Sequence, residues 1–186
     1  MVGAFDVVFG VSTRTGSAVI IALCSRHQPA FAGRWDVALT SPDVERQAYH
    51  VAADLTLTEA DELVKQTEQA AEAGGVAALR AAEASLQAGN LVAVAVVVKA
   101  VSVPSTTAQV LRSHTWMHAA EGVLYREAML AAARKCGWTA HAIDSAVLTD
   151  PHRELDAIGR AAGRPWRRIE KDAAAAALHV LGAVKR

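Results

Sequence analysis

The chain has 186 residues, which is enough for one domain with a sizeable hydrophobic core. Its 19 basic and 19 acidic residues cancel to a formal net charge of zero, so only a local basic patch can argue for a nucleic-acid or membrane-surface partner. The longest unbroken apolar stretch, Leu91 to Val98, is far shorter than the roughly 20 residues of a transmembrane helix. We therefore expect a soluble protein with one domain over residues 1–186.

The cysteines and the first residues bear on the cellular compartment. Cys24 and Cys136 lie in apolar segments without a Cys-x-x-Cys spacing, which predicts buried free thiols. The N-terminus lacks the basic start and the small-residue cleavage pattern of a secretory signal. Both features predict a cytoplasmic location.

The first part of the chain has the pattern of an antiparallel meander. Phe5 to Val11 and Ala18 to Cys24 are apolar segments on either side of a tight turn, which predicts a β-hairpin. Arg34 to Leu39 and Arg46 to Ala53 are predicted to be further extended segments around the turn Ser41-Pro42-Asp43.

Helices and further strands follow this meander. A helix is predicted from Thr58 to about Gln87, with acidic residues in its first turn and an interruption at Gly74-Gly75. The valine-rich segment Leu91 to Val98 has the pattern of a strand that is covered on both faces. The remaining predictions are a helix from about Thr106 to Lys135, a short strand from Thr139 to Ile143, a polar segment, and a last helix from about Trp166 to Val184. The predicted order is β-β-β-α-β-α-β-α.

The first hairpin and the element order together resemble a known superfamily. An apolar strand ends at Gly10-Val11, the turn carries Ser12 to Thr15, and Gly16 leads into the second strand. With the order of elements, this hairpin resembles the RNase H-like superfamily and, within it, the RuvC-type Holliday-junction resolvases. The resemblance implies an α/β fold with a mixed five-stranded sheet and helices on both faces. It also implies a homodimer as one expected assembly.

Three of the four metal ligands that the resemblance implies are missing. The family has an aspartate in the first hairpin where this chain has Ser12, and a glutamate at a strand end where this chain has Lys99. Asp172, ahead of an alanine-rich stretch, matches a family aspartate, but Arg168 and Ile169 stand where the family has a second acid one turn earlier. Two-metal phosphodiester cleavage needs several converging carboxylates, and a lysine ammonium repels Mg²⁺. We therefore expect a degenerate nuclease, a pseudoenzyme without a cofactor.

Two arrangements of these family-equivalent residues are open. In the first, Ser12, Lys99 and Asp172 form a metal-free ionic cluster in which the ammonium takes the place of a cation. In the second, Lys99 reaches solvent and Asp172 pairs with Arg168 at i, i+4.

A local basic patch points to DNA or RNA as a partner. Basic residues surround Gly163 to Trp166, the indole of Trp166 is available for stacking on a base, and Arg14 lies on a hairpin turn expected near the last helix. The alternative is a solvated helix start whose positive field is diluted by nearby acids. The predicted nucleic-acid or phosphate-binding residues are Arg14, Arg164, Trp166, Arg167, Arg168 and Lys171.

A competing chemistry comes from the histidines. His114 and His118 are four residues apart on a predicted helix, and Glu121 continues the same face, so the three side chains are a candidate metal site. Much of this helix is apolar, so packed histidines bonded to the backbone are the alternative. The other histidines, which show no ligand spacing, are His27, His50, His141, His152 and His179.

The leading function is a nucleic-acid-associated or protein-interaction role without catalysis. One alternative is an active Mg²⁺-dependent nuclease with displaced acids, for which Asp6, Asp36 and Asp144 are candidates. Another is a nucleotide or small-ligand domain that uses the glycine-flanked, hydroxyl-rich turn from Ser12 to Gly16.

Overall fold

The computed structural model describes residues 5–25, 28–148 and 153–184 of the chain. The strands are β1 (Asp6–Arg14), β2 (Ser17–Cys24), β3 (Ala30–Ala38), β4 (Asn90–Val98) and β5 (Thr139–Asp144). They form one sheet in the spatial order β3-β2-β1-β4-β5. β1 pairs with β2 and β2 with β3 in antiparallel fashion, whereas β1 with β4 and β4 with β5 are parallel. The predicted mixed five-stranded sheet is confirmed.

Helices cover both faces of this sheet. They are α1 (Ala48–Ala52), α2 (Leu57–Ala84), α3 (Thr107–Val110), α4 (His114–Lys135), α5 (Arg153–Ala162) and α6 (Arg168–Val184), with a 3-10 turn at Ser145–Leu148. Alternate residues of β1 point to opposite faces, so Val7, Phe9 and Val11 join the core beneath the long helices α2 and α4. Val8 joins a second core beneath the last helix, α6, which is rich in buried alanine.

The prediction of an extended segment from Arg46 to Ala53 is wrong, because this part of the chain contains the short helix α1. Ala48 and Ala52 are both fully buried, and their spacing of four residues places them on the same face of a helix. The polar segment before the last helix also contains a helix, α5, whose Ile158 packs into the core beneath α6.

The predicted interruption at Gly74-Gly75 is also wrong, since α2 runs unbroken through both glycines. A Cβ atom at Gly74 would lie 2.1 Å from the backbone oxygen of Leu39, and one at Gly75 would lie 3.0 Å from the sulfur of Met129. These glycines therefore allow a close approach of neighbouring elements. The stability of α2 comes from its buried face and from a capping box between Thr56 and Glu59.

The helix predicted from Thr106 to Lys135 is divided into α3 and α4. Ser113 has an extended backbone and is the N-cap of α4, a position for which serine is strongly favoured. His114 is consequently the first residue of α4.

The cysteine prediction is confirmed, because Cys24 and Cys136 are buried free thiols. Across the ranges that the structure describes, every helix is too short or too polar to cross a membrane.

Candidate functional site

Ser12 lies near the carboxyl end of β1, on the sheet face that α6 covers. Gly10 shares this face by the alternation of the strand, and a Cβ atom at Gly10 would lie 1.8 Å from the backbone oxygen of Ala173. Helix α6 therefore rests directly on the backbone of β1. The buried Ser12 is paired in register with Val19 of β2.

The second of the two arrangements foreseen for Lys99 and Asp172 is the one observed. Lys99 is exposed just beyond the end of β4. The Asp172 carboxylate lies 3.5 Å from Nε of Arg168, one turn earlier in α6. Among the described residues, Lys99 makes no ion pair, so these side chains do not form the ionic cluster.

The other candidate acids are spread along the sheet. Asp6 pairs with Asn90 at the opposite end of β1, about 20 Å from Ser12 at the rise of an extended strand. Asp36 is exposed on β3, two strands away from Ser12. Asp144 ends β5, and its carboxylate accepts a hydrogen bond of 2.9 Å from the backbone of Ala146.

This donor set does not fit Mg²⁺. The three positions that the sequence resemblance matched to metal ligands supply one serine hydroxyl, one ammonium and one carboxylate that is paired with an arginine. Magnesium requires oxygen ligands in octahedral geometry and is repelled by a neighbouring ammonium. Within the described ranges, no three carboxylates lie close enough to hold a shared ion.

The predicted basic residues lie around the start of α6. Arg14, Arg164 and Lys171 are exposed, and none of the three has an ion-pair partner in the part of the chain that is described. Arg168 pairs with Asp172, yet 89% of its side chain is exposed. The turn between β1 and β2 lies near the start of α6, since Arg14 of β1 and Ile169 of α6 line the same cleft.

Trp166 does not have the free indole expected from the sequence. Its ring is half-buried, packs against the core beneath α6, and lies over Gly159, where a Cβ atom would be 2.5 Å from the indole nitrogen. Arg34 of β3 holds the adjoining backbone by donating hydrogen bonds to the carbonyl oxygens of Arg164, at 3.3 Å, and Pro165, at 2.7 Å. Trp166 thus anchors the segment that carries the basic residues.

Glu170 is a buried carboxylate at the start of α6 that the sequence interpretation did not single out. Its Oε2 accepts a hydrogen bond of 2.7 Å from the backbone N–H of Arg167, and Oε1 lies 3.8 Å from the guanidinium of the same residue. A carboxylate at this place is attracted by the positive end of the helix dipole, and it accepts a hydrogen bond from a backbone N–H at the start of the helix.

The histidine candidates form a different group from the one predicted. His114 and His118 are joined by His50 of α1, and one ligand atom of each lies within 4.8 Å of the others. Glu121, the third predicted member, instead accepts a hydrogen bond of 2.7 Å from Nδ1 of His50. His50 was missed because its segment has no visible helical pattern in the sequence. His27 and His152 lie outside the described residues.

Tyr125 connects this histidine group to the β1–β2 turn. Its hydroxyl donates a hydrogen bond of 2.8 Å to the backbone oxygen of Arg46. Burial, together with the nearby charge of Glu121, raises the pKa of Tyr125 to about 12. The side chain of Arg46 packs on Gly16, whose φ of 74° is one that glycine adopts readily. The middle of α4 therefore lies at the same end of the sheet as Arg14.

Comparison with known proteins gives a structural likeness. No protein-family model matches the sequence, and no curated protein matches it. Among solved structures, RuvC from T. thermophilus in complex with a Holliday junction substrate matches with a TM-score of 0.54 and 16% identity, over 96% of this chain and 95% of that chain. A second structure of Thermus thermophilus RuvC matches with a TM-score of 0.53 and 16% identity, over 96% of each chain. This chain therefore has the RNase H-like fold of RuvC, as the sequence resemblance predicted.

Proposed function

We propose that this chain binds nucleic acid at the start of α6 and does not cleave it by RuvC-type two-metal chemistry. The binding region, called here the basic surface, consists of Arg14, Arg164, Arg167, Arg168 and Lys171. The proposal rests on one observation: Arg14, from the turn between β1 and β2, lines the same cleft as Ile169 of the first turn of α6, so a basic residue distant in sequence lies near the start of this helix. The likeness to a protein solved with a Holliday junction supports DNA as the partner.

The charge of this surface remains positive after its acids are counted. Glu170 is buried and faces the backbone and guanidinium of Arg167, Asp172 pairs with Arg168, and the exposed Asp36 lines the same cleft as Arg14. The five basic residues therefore outnumber these three carboxylates, and Arg14 and Lys171 are exposed without an ion-pair partner among the described residues. Cations at a helix N-terminus are disfavoured by the helix dipole; Glu170 supplies one anionic group there, and a bound anion would offset the remaining positive charge. Phosphate groups supply that anion in nucleic acids.

The absence of two-metal cleavage follows from the side chains at the family-equivalent positions. The exposed ammonium of Lys99 is suited to contact a phosphate, whereas an acid at that position would hold a cation. Asp172 is already paired with Arg168 and is a single carboxylate, which is too few for a pair of ions. We therefore expect the chain to bind DNA through phosphate contacts, without a pair of metal ions at the carboxyl end of β1.

The proposal is tested by the salt dependence of binding to a synthetic four-way DNA junction, measured by fluorescence anisotropy. The double variant Arg14→Ala with Lys171→Ala removes two unpaired charges from the basic surface. We expect the slope of log K against log salt to become less negative by about 1.8, since each of the two lost phosphate contacts contributes about −0.9.

A matched control is the double variant Lys65→Ala with Arg134→Ala. These residues are equally exposed but line a groove between α2 and α4, on the other side of the sheet. The control should bind with the slope of the unmodified chain. Equal losses in both double variants, or no loss in either, would refute the proposed surface.

A further inference from the structure

We infer that His50, His114 and His118 form a binding site for one divalent ion of the zinc class, with Glu121 as the positioning residue. This site is independent of the basic surface. Its residues come from two elements, since α1 supplies His50 and the first two turns of α4 supply the others. The three imidazole rings contact one another, with centroid separations of 4.4, 4.4 and 5.0 Å.

The spacing of the donor atoms is close to that of a metal site. One ligand atom from each histidine lies within 4.8 Å of the other two. A tetrahedral zinc site with bonds of 2.0–2.1 Å has nitrogen atoms about 3.3 Å apart. Each nitrogen–nitrogen distance therefore needs to shorten by about 1.5 Å or less for the three histidines to bind one zinc ion. His114 and His118 are exposed, so rotation of their side chains can supply this movement without disturbing the core.

The hydrogen bond between His50 and Glu121 sets the chemistry of the site. Because an ionised carboxylate only accepts hydrogen bonds, this contact assigns the proton to Nδ1 of His50 and leaves Nε2 as the ring nitrogen that a metal ion can bind. A metal-bound histidine generally donates its other ring N–H to a carboxylate or carbonyl, which fixes the ring and strengthens the ligand. Glu121 is only 2% exposed and is therefore held in place for this role.

The second ring nitrogen of His50, Nε2, has no hydrogen-bond partner among the described residues and is available to a metal ion. This atom is buried. A buried polar atom without a partner costs free energy, and a metal ion bound to Nε2 removes that cost. The two exposed histidines stand beside this ring and supply the second and third bonds.

The ligand set selects the class of ion. Three imidazoles suit Zn²⁺, Ni²⁺, Co²⁺ or Cu²⁺ and do not suit Mg²⁺ or Ca²⁺, which require oxygen ligands. Three protein ligands leave the fourth position of a zinc ion open to water or an exogenous anion. Exposure of two of the ligands makes that fourth position reachable from solvent.

The test is zinc titration of the full-length chain without a polyhistidine tag, followed by calorimetry and by elemental analysis after dialysis. We expect one equivalent of bound zinc. The variants His114→Ala and His118→Ala should each lose it, and they should fold normally because both side chains are exposed. Glu121→Gln should retain the stoichiometry but bind zinc 10- to 100-fold more weakly.

The control is His179→Ala, which removes an exposed histidine of α6. It should bind zinc as the unmodified chain does. Substitution with Co²⁺ should give a spectrum of nitrogen ligands, without a thiolate charge-transfer band. Failure of the unmodified chain to bind zinc, retention of zinc by both His114→Ala and His118→Ala, or a thiolate band from Cys24 or Cys136 would each overturn the inference.

Discussion

The contact between Gly10 and α6 makes a sharp prediction about how this fold is held together. In Gly10→Ala, the new methyl group would lie 1.8 Å from the backbone oxygen of Ala173, about 1.6 Å short of the 3.4 Å at which ordinary contact begins. The obstacle is the backbone of a helix, so no side-chain rotation relieves it. Helix α6 must therefore move away from the sheet.

The loss in free energy of unfolding caused by Gly10→Ala should lie at the upper end of the range measured for overpacked cores. Such changes typically cost 1–3 kcal/mol, and moving α6 also loosens its row of fully buried alanines, including Ala173, Ala176 and Ala177. Reduced chain entropy in the unfolded state offsets about 0.5–1 kcal/mol. We expect a net loss of about 2–2.5 kcal/mol, or a fall in Tm of about 4–10 °C for a domain of this size.

Urea denaturation followed by circular dichroism measures this loss. The matched control is Gly182→Ala in the same helix, where a Cβ atom meets nothing within 4 Å. That change should stabilise the chain by about 0.5–1 kcal/mol, the difference in helix propensity between glycine and alanine. If Gly10→Ala were as stable as the unmodified chain, the direct packing of α6 on β1 would be refuted.

Other substitutions test the remaining supports of the fold. Thr56→Ala removes the capping box with Glu59 and should cost about 1 kcal/mol in urea denaturation, with no change in the m-value. Gly74→Ala, despite its better helix propensity, places a methyl group 2.1 Å from a backbone oxygen of the loop after β3 and should cost about 1–3 kcal/mol by the same measurement; a gain in stability would contradict the close approach. Tyr125→Phe removes a hydrogen bond to the backbone of Arg46 and should cost about 0.5–1.5 kcal/mol near neutral pH. Because folding raises the pKa of Tyr125 from 10.0 to about 12, the neutral phenol stabilises the fold fully below pH 10, and this contribution is lost as the pH rises towards 12. Tyr125→Phe should therefore lack that part of the alkaline decline in stability, and an identical decline in both proteins would contradict this assignment.

Much of the fold is readable from the sequence because its strands are strongly patterned. The all-apolar segment ending at Val98 is covered on both faces in the structure, as valine-rich central strands are. The errors arise where tertiary contacts override local signals. Gly74 and Gly75 would weaken an isolated helix, but here they let α2 approach its neighbours.

The candidate site is less readable, because the side chains that meet there are distant in sequence. His114 and His118 are visible as a pair from their spacing of four residues. His50 lies 64 residues before the first of them, and its own helix has only five residues, which is too short to give a periodic pattern. The indole of Trp166 is not free as expected, because the segment before it, predicted only as a polar segment, forms α5 and places Gly159 against the ring.

An assay of binding and cleavage with junction and single-stranded DNA tests whether this chain binds nucleic acid without cutting it. It is run with and without Mg²⁺ or Mn²⁺, at low and at high salt. We predict salt-sensitive binding without cleavage, because the basic surface contacts phosphates while Ser12, Lys99 and Asp172 do not form a two-metal centre. Cleavage that depends on Mg²⁺ or Mn²⁺, or no binding at any salt concentration, would contradict it.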